Sequence, residues 1–111
     1  MPVSLILKAL DALSLRATVT AQNIANANSP GYRPLNVSFE DALRKAAAEG
    51  PDAVAAVQPQ IALAIDYQGS TALRLDLELA TATATSGRYG ALAELLNRQL
   101  QLQALAASGT R

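Results

Sequence analysis

The chain has 111 residues, half of them hydrophobic but only 4% aromatic, with nine basic and nine acidic side chains and neither Cys nor His. That length holds one domain at most, and balanced charge leaves no electrostatic footprint for nucleic acid or an anionic membrane. Without Cys or His, disulfides, thiol chemistry, most zinc sites and most nucleophile–base pairs are excluded.

A chain dominated by Ala and Leu, with one Phe and no Trp, suits helices packed along narrow seams better than a thick core. Lys8, Asp11 and Arg16 interrupt the only long apolar stretch, so no bilayer span is expected. A cleavable signal peptide also fits poorly, because no basic residue precedes Leu5 and Asp11 would fall inside its apolar region.

Ser4 is expected to cap a first helix beginning near Leu5. Along it Ile6, Leu10, Leu13, Ala17, Thr20 and Ile24 recur at alternating steps of four and three, the pattern of a heptad seam. Leu5, Leu7 and Leu15 lie off that seam and imply further neighbours. The helix is expected to stop in Asn23-Ile24-Ala25-Asn26-Ala27-Asn28-Ser29-Pro30-Gly31-Tyr32. Asn26 or Asn28 can take the left-handed conformation that closes a helix. Pro30 pushes Ser29 out of the α region, and Pro30-Gly31 suits a type II turn in which Gly31 supplies the positive φ.

A second helix, from about Phe39 to Glu49, is expected with Ser38 and Asp41 as a capping pair. Phe39, Ala42, Leu43 and Ala46 form its apolar face, and Gly50-Pro51 stops it. Next, Ile61, Leu63, Ile65 and Tyr67 alternate as a short strand ending at Gln68-Gly69-Ser70, with Leu73, Leu75 and Leu77 as a hairpin partner. One hairpin is marginal alone in water, so residues 51–72 are expected to be mobile or to order only against a neighbour.

From Leu75 the heptad steps return through Leu79, Ala82, Ser86, Tyr89, Ala93, Leu96 and Leu100, with Leu92, Leu95 and Leu102 beside them. Gly87 and Gly90 flank Tyr89, where they bend the helix or permit a close approach. The expected fold is mainly α. Long N- and C-terminal helices (residues 1–32, with the Asn-rich turn, and 73–111) pair as an antiparallel coiled coil around a middle segment, residues 33–72, holding a short helix and a small β-hairpin. Its seam would comprise Ile6, Leu10, Leu13, Ala17, Ile24, Leu79, Tyr89, Leu96 and Leu100.

The stretch Asn23–Tyr32 resembles the Asn-Ile-Ala-Asn-Ala-Asn-Thr-Pro-Gly-Tyr signature of bacterial flagellar axial proteins, the rod, hook and hook-associated subunits. Its motif residues here are Asn23, Ala25, Asn26, Asn28, Ser29, Pro30, Gly31 and Tyr32. Asn36–Leu43 is similar to the Asp-Phe-Glu-Glu-Ala-Leu region of the FlgB-type proximal rod subunits. Leu73–Ala82 and Tyr89–Leu100 resemble that family's Val-Asp-Leu-Glu-x-Glu-Met-Ala stretch and Tyr-x-Ala-Leu-x-x-Leu-Leu-Asn-Arg-x-Leu tail. Ser29 stands in place of Thr and keeps the hydroxyl. Arg74 and Asp76 stand where the family has Asp and Glu, which bears on any salt bridge at the start of the last helix.

The resemblance implies a structural subunit of the proximal rod of the flagellar basal body, in the periplasmic space, with no cofactor and no small-molecule substrate. Its implied partners are other rod subunits, the base ring and its adaptor, and the type III export gate, which it would pass without a cleavable signal. Leu5, Leu7, Leu15, Leu95 and Leu102 would contact adjacent subunits. Phe39 with Leu43 resembles the Phe-x-x-x-hydrophobic element that docks at the gate, although ordinary helix packing explains such a pair equally well.

Three other classes compete. For an enzyme the candidates are Asp41, Asp52, Asp66, Asp76, Glu78 and Glu94, none of them joined to a His, a Cys or a phosphate loop. For a DNA-binding module, Thr18–Asn28 would be the recognition helix, but the preceding helix and turn are missing. A small helical adaptor or export chaperone shares every compositional feature and is set apart by the motif alone.

Overall fold

The computed structural model describes residues 1–65 and 72–109. The elements in chain order are α1 (Val3–Ala25), β1 (Leu35–Ser38), α2 (Glu40–Glu49), α3 (Pro51–Ala56), β2 (Gln60–Leu63) and α4 (Leu75–Gly109). The architecture is mainly helical, with the two long helices packed together and a two-stranded antiparallel sheet between them in sequence. At 1.5 Å per residue α1 is roughly 35 Å long and α4 roughly 52 Å. They run antiparallel: Asn23 meets Glu78 near one end, and Ala9 shares a cavity with Leu92 further along.

The first helix begins two residues before Leu5, at Val3, with Pro2 as its cap and no side-chain cap hydrogen bond. Ser4 therefore lies inside the first turn and does not cap it. Pro suits the boundary because it has no N–H to leave unpaired. At the far end Asn26 closes the helix at φ −100° and ψ 14°, and among the described residues only glycines have positive φ. Neither Asn26 nor Asn28 is left-handed, because the Asn26 amide reaches back to the Gln22 carbonyl at 2.8 Å and satisfies the helix end another way.

The middle segment folds onto α1 within the chain. Ala9, Ala12, Leu13 and Val19 of α1 form one core with Val37, Phe39, Leu43, Ala46 and Val54. Leu5 and Leu15 pack against this core and are half-buried within the chain. Ser38 ends β1, leaving Phe39 as the α2 cap, and the expected Ser38–Asp41 capping pair does not form. Gly50 closes α2 at φ 123°, and Pro51 opens α3 directly behind it.

The strand seen in Ile61 and Leu63 is present, but its partner differs. Leu35–Ser38 pairs with Leu63–Gln60, whereas Leu75 and Leu77 belong to α4. The pairing is available because Arg33-Pro34 keeps the chain extended after the turn, and the Ala64 N–H continues the ladder to the Pro34 carbonyl at 2.9 Å. Tyr67 and the Gln68-Gly69-Ser70 turn lie outside the described residues.

Candidate assembly site

The Asn-rich turn is organised by one buried amide. Asn23 is 1% exposed. Its Nδ2 donates to the Leu35 carbonyl at 2.7 Å and to Glu78 Oε2 at 3.0 Å. Its Oδ1 accepts the Tyr32 hydroxyl at 2.8 Å and the Leu35 N–H at 3.1 Å. An Asn side chain offers two donors and two acceptor sites, and all four are used. One residue thus joins α1, the turn, β1 and α4.

The rest of the motif shapes the path between these contacts. The Ser29 N–H bonds to the Asn26 carbonyl at 3.0 Å, and its hydroxyl lies 3.2 Å from Asn26 Oδ1. The Tyr32 N–H closes a turn onto the Ser29 carbonyl at 3.2 Å, with Gly31 at φ 75° in the third position. Pro30 sits before it on the exposed outside of the turn, as do Ala25 and Asn28. Positive φ at the third position is where Gly is favoured in a type II turn.

A second junction lies half-way along α1. The Arg16 guanidinium grips Glu40 through two bonds, of 2.6 and 2.8 Å, and donates to the Val37 carbonyl at 2.6 Å. It lies 4.8 Å from the centre of the Phe39 ring. Arg88 of α4 reaches the same carboxylate at 3.3 Å. The Arg16 hydrogen bonds hold the Glu40 carboxyl down at about 2, against an ordinary value of 4.5. Sequence reasoning placed none of Arg16, Glu40, Glu78 and Arg88 at a junction between elements. The available signal was an arginine set inside an otherwise apolar helix. At the start of α4, Arg74 pairs with Asp76 at 2.8 Å and lowers the pKa of that exposed carboxyl.

The expected seam divides. Ile6, Leu10 and Leu13 are buried and Leu96 is half-buried, but Leu79, Tyr89 and Leu100 are 51%, 44% and 46% exposed. These three are left largely uncovered within the chain, although Tyr89 still lines the gap between α1 and α4. The covered line on α4 instead runs through Glu78, Ala82, Thr85, Leu92, Leu96 and Gln99. It includes polar positions because Glu78 is drawn to Asn23, and α4 has more leucines than one line can hold. Ala17, Ala21 and Ile24 of α1 then face Ala82, Ser86 and Tyr89 of α4 across an open groove of about 400 Å³.

Two further surfaces follow from the register. Six residues on from Ala9 and Leu92 along each helix, Val3 comes opposite Arg98, so α4 projects past the start of α1. Residues 100–109 of this projection are exposed throughout, with Leu100, Leu102 and Leu105 among them. Leu7 is also exposed, and Leu95 is half-buried. Phe39 and Leu43, the candidate docking pair, both lie in the core at 6% and 7% exposure.

Among the described residues no cluster of three or more His, Cys, Asp or Glu is placed to hold a metal, and no helix is long and apolar enough to cross a membrane. No curated protein matches the chain. Residues 7–33, which run along α1 from Leu7 through the Asn23-centred turn, match the model of the flagella basal body rod protein family, and that similarity supports a structural part in a flagellar rod.

Proposed function

We propose that this chain is a structural subunit of the bacterial flagellar basal-body rod, of the FlgB-type proximal kind, working as an assembling part and not as a catalyst. The observation that carries the reading is a coincidence of position. The stretch similar to rod proteins, residues 7–33, contains Arg16 and Asn23, two side chains that hydrogen-bond α1 to other elements of the molecule. The similarity therefore falls on the residues that set how the two long helices are held.

In this reading the paired helices form the inner layer of a hollow shaft that carries torque across the periplasm, and the exposed leucines of α4 meet other axial subunits. The base ring and its adaptor lie on one side and further rod subunits on the other. The chain travels unfolded through the type III export gate, where Phe39 and Leu43 are free to dock before the core encloses them. Deleting the gene should abolish rods and motility, and purified basal bodies should contain the protein. A motile deletion strain with intact rods would overturn the proposal.

A further inference from the structure

The two-stranded sheet is protected along one edge only. On the outer side of β1, Asn23 bonds the Leu35 N–H and carbonyl, and Arg16 bonds the Val37 carbonyl. Those groups point at α1, so Asn36 and Ser38 turn theirs to Ala62 and Gln60 of β2. The Ala64 N–H continues this alternation onto the Pro34 carbonyl. Ile61 and Leu63, with Ile65 next in the alternation, therefore direct their N–H and carbonyl groups away from β1. Among the described residues no strand lies beyond β2.

The side chains repeat the asymmetry. Ile61 and Leu63 stand opposite Val37 and Leu35, so all four occupy the face of the sheet turned to the core. Val37 is buried there, whereas Ile61, Leu63 and Ile65 are 49%, 39% and 63% exposed. Edge strands are usually blunted by a charge, a proline or a bulge. Here no charged residue occurs between Asp52 and Asp66, and Pro59 falls just before β2.

This edge is complementary to itself. When two copies meet antiparallel about a two-fold axis at Leu63, Leu63 faces Leu63 of the second copy, and Ile61 faces Ile65. All three residues carry their N–H and carbonyl on the open side, so each pair can exchange both hydrogen bonds. The same register lays the apolar side chains of both copies together on one face, with no like charges opposed. A slip of one residue would set outward-pointing groups against inward-pointing ones and part those side chains.

We infer that β2 of one copy pairs antiparallel with β2 of a second copy about Leu63, forming a four-stranded sheet. Association stops at the dimer, because the outer edges of that sheet are the two β1 strands, already occupied by Asn23 and Arg16. Three side chains and a short edge make less than the roughly 800 Å² per partner of a standard interface, so the dimer is weak and concentration-dependent. The contact is isologous, whereas an open helical shaft is built from heterologous ones. It therefore belongs to the free chain and stands independently of the rod reading.

Sedimentation velocity on the full chain tests the pairing, with Leu63→Lys and Leu63→Glu as variants and circular dichroism to check their helix. Wild type should pass from monomer to dimer as concentration rises. Each variant alone sets like charges opposite each other and should dimerise about tenfold more weakly. Mixed, the two should recover a one-to-one dimer, because Lys then meets Glu at the axis. Hydrogen exchange on the wild type gives a reading that needs no variant. The Ile61 and Leu63 amides should exchange more slowly as concentration rises, while the Ala62 amide, already bonded to β1, should not change. A wild type that stays monomeric, variants that dimerise as wild type does, a mixture no tighter than its components, or Ile61 and Leu63 amides indifferent to concentration would each overturn the inference.

Discussion

Asn23 and Glu78 are joined by a 3.0 Å hydrogen bond across 55 positions of sequence, and the same amide holds the strand that follows the turn. Replacing Asn23 with Ala would strand the Tyr32 hydroxyl and the Leu35 N–H and carbonyl together. Unmade buried hydrogen bonds of this kind cost about 1–3 kcal/mol each, so Asn23→Ala should be among the most destabilising changes in α1. Asn23→Asp should also be harmful, because a carboxylate cannot donate to Leu35 and repels Glu78. Urea unfolding of both variants checks this; a midpoint close to wild type for either would show that the amide is not the hub.

The Arg16–Glu40 junction predicts a pH dependence with a definite sign. The carboxyl of Glu40 is lowered to about 2 in the folded chain from 4.5, so folding favours its ionised form. Its stabilising contribution is complete above the ordinary value and fades as pH falls from about 4.5 towards 2. The gap in thermal midpoint between wild type and Glu40→Gln should therefore be widest at neutral pH and close on acidification. A gap that does not change with pH would refute this account. Arg16→Lys keeps the charge but loses the two-pronged grip and the ring contact, and should behave like Glu40→Gln at neutral pH.

Glycines on the two sides of the molecule should respond in opposite directions. A Cβ at Gly31, Gly87 or Gly90 would meet nothing within 4 Å, so backbone conformation alone decides the outcome. Gly31 sits at φ 75°, and Ala there should cost roughly 1–2 kcal/mol. Gly87 and Gly90 are ordinary helical positions in α4, where Ala should add up to about 1 kcal/mol each. Thermal unfolding of the three single variants tests the contrast, which fails if Gly31→Ala is neutral or if the α4 changes destabilise.

For Phe39 the fold and the proposed export role have to be separated, since its side chain lies in the core. Phe39→Ala should cost about 3–5 kcal/mol of stability, and Leu13→Ala in the same core about 2–5. If Phe39 docks at an export gate, only its replacement should reduce secretion while the cellular level of the protein holds. Equal secretion of the two variants would leave Phe39 as a packing residue alone.

Local pattern carried the two long helices, the extended Ile61–Leu63 segment and the turn at Pro30-Gly31, because periodicity and turn chemistry are written in adjacent residues. What escaped it depends on distance in sequence. Heptad spacing marks two neighbouring lines on α4 equally well, and nothing local says that Glu78 and Thr85 are covered while Leu79 and Tyr89 stay exposed. Arg16 looked like an interruption of an apolar helix, since its partner Glu40 sits 24 positions away. Likewise the alternation of Leu73, Leu75 and Leu77 imitates a strand, yet the long helix beginning at Leu75 decides their conformation.

The buried core draws on residues from Ala9 to Val54, and α4 contributes only a half-covered Leu92 to it. Every buried member of that core therefore lies within residues 9–54, and the last helix is laid along α1 and held by side-chain bonds at Asn23 and Glu40. Under load or denaturant it should be the first part to peel away, leaving a smaller folded remnant behind.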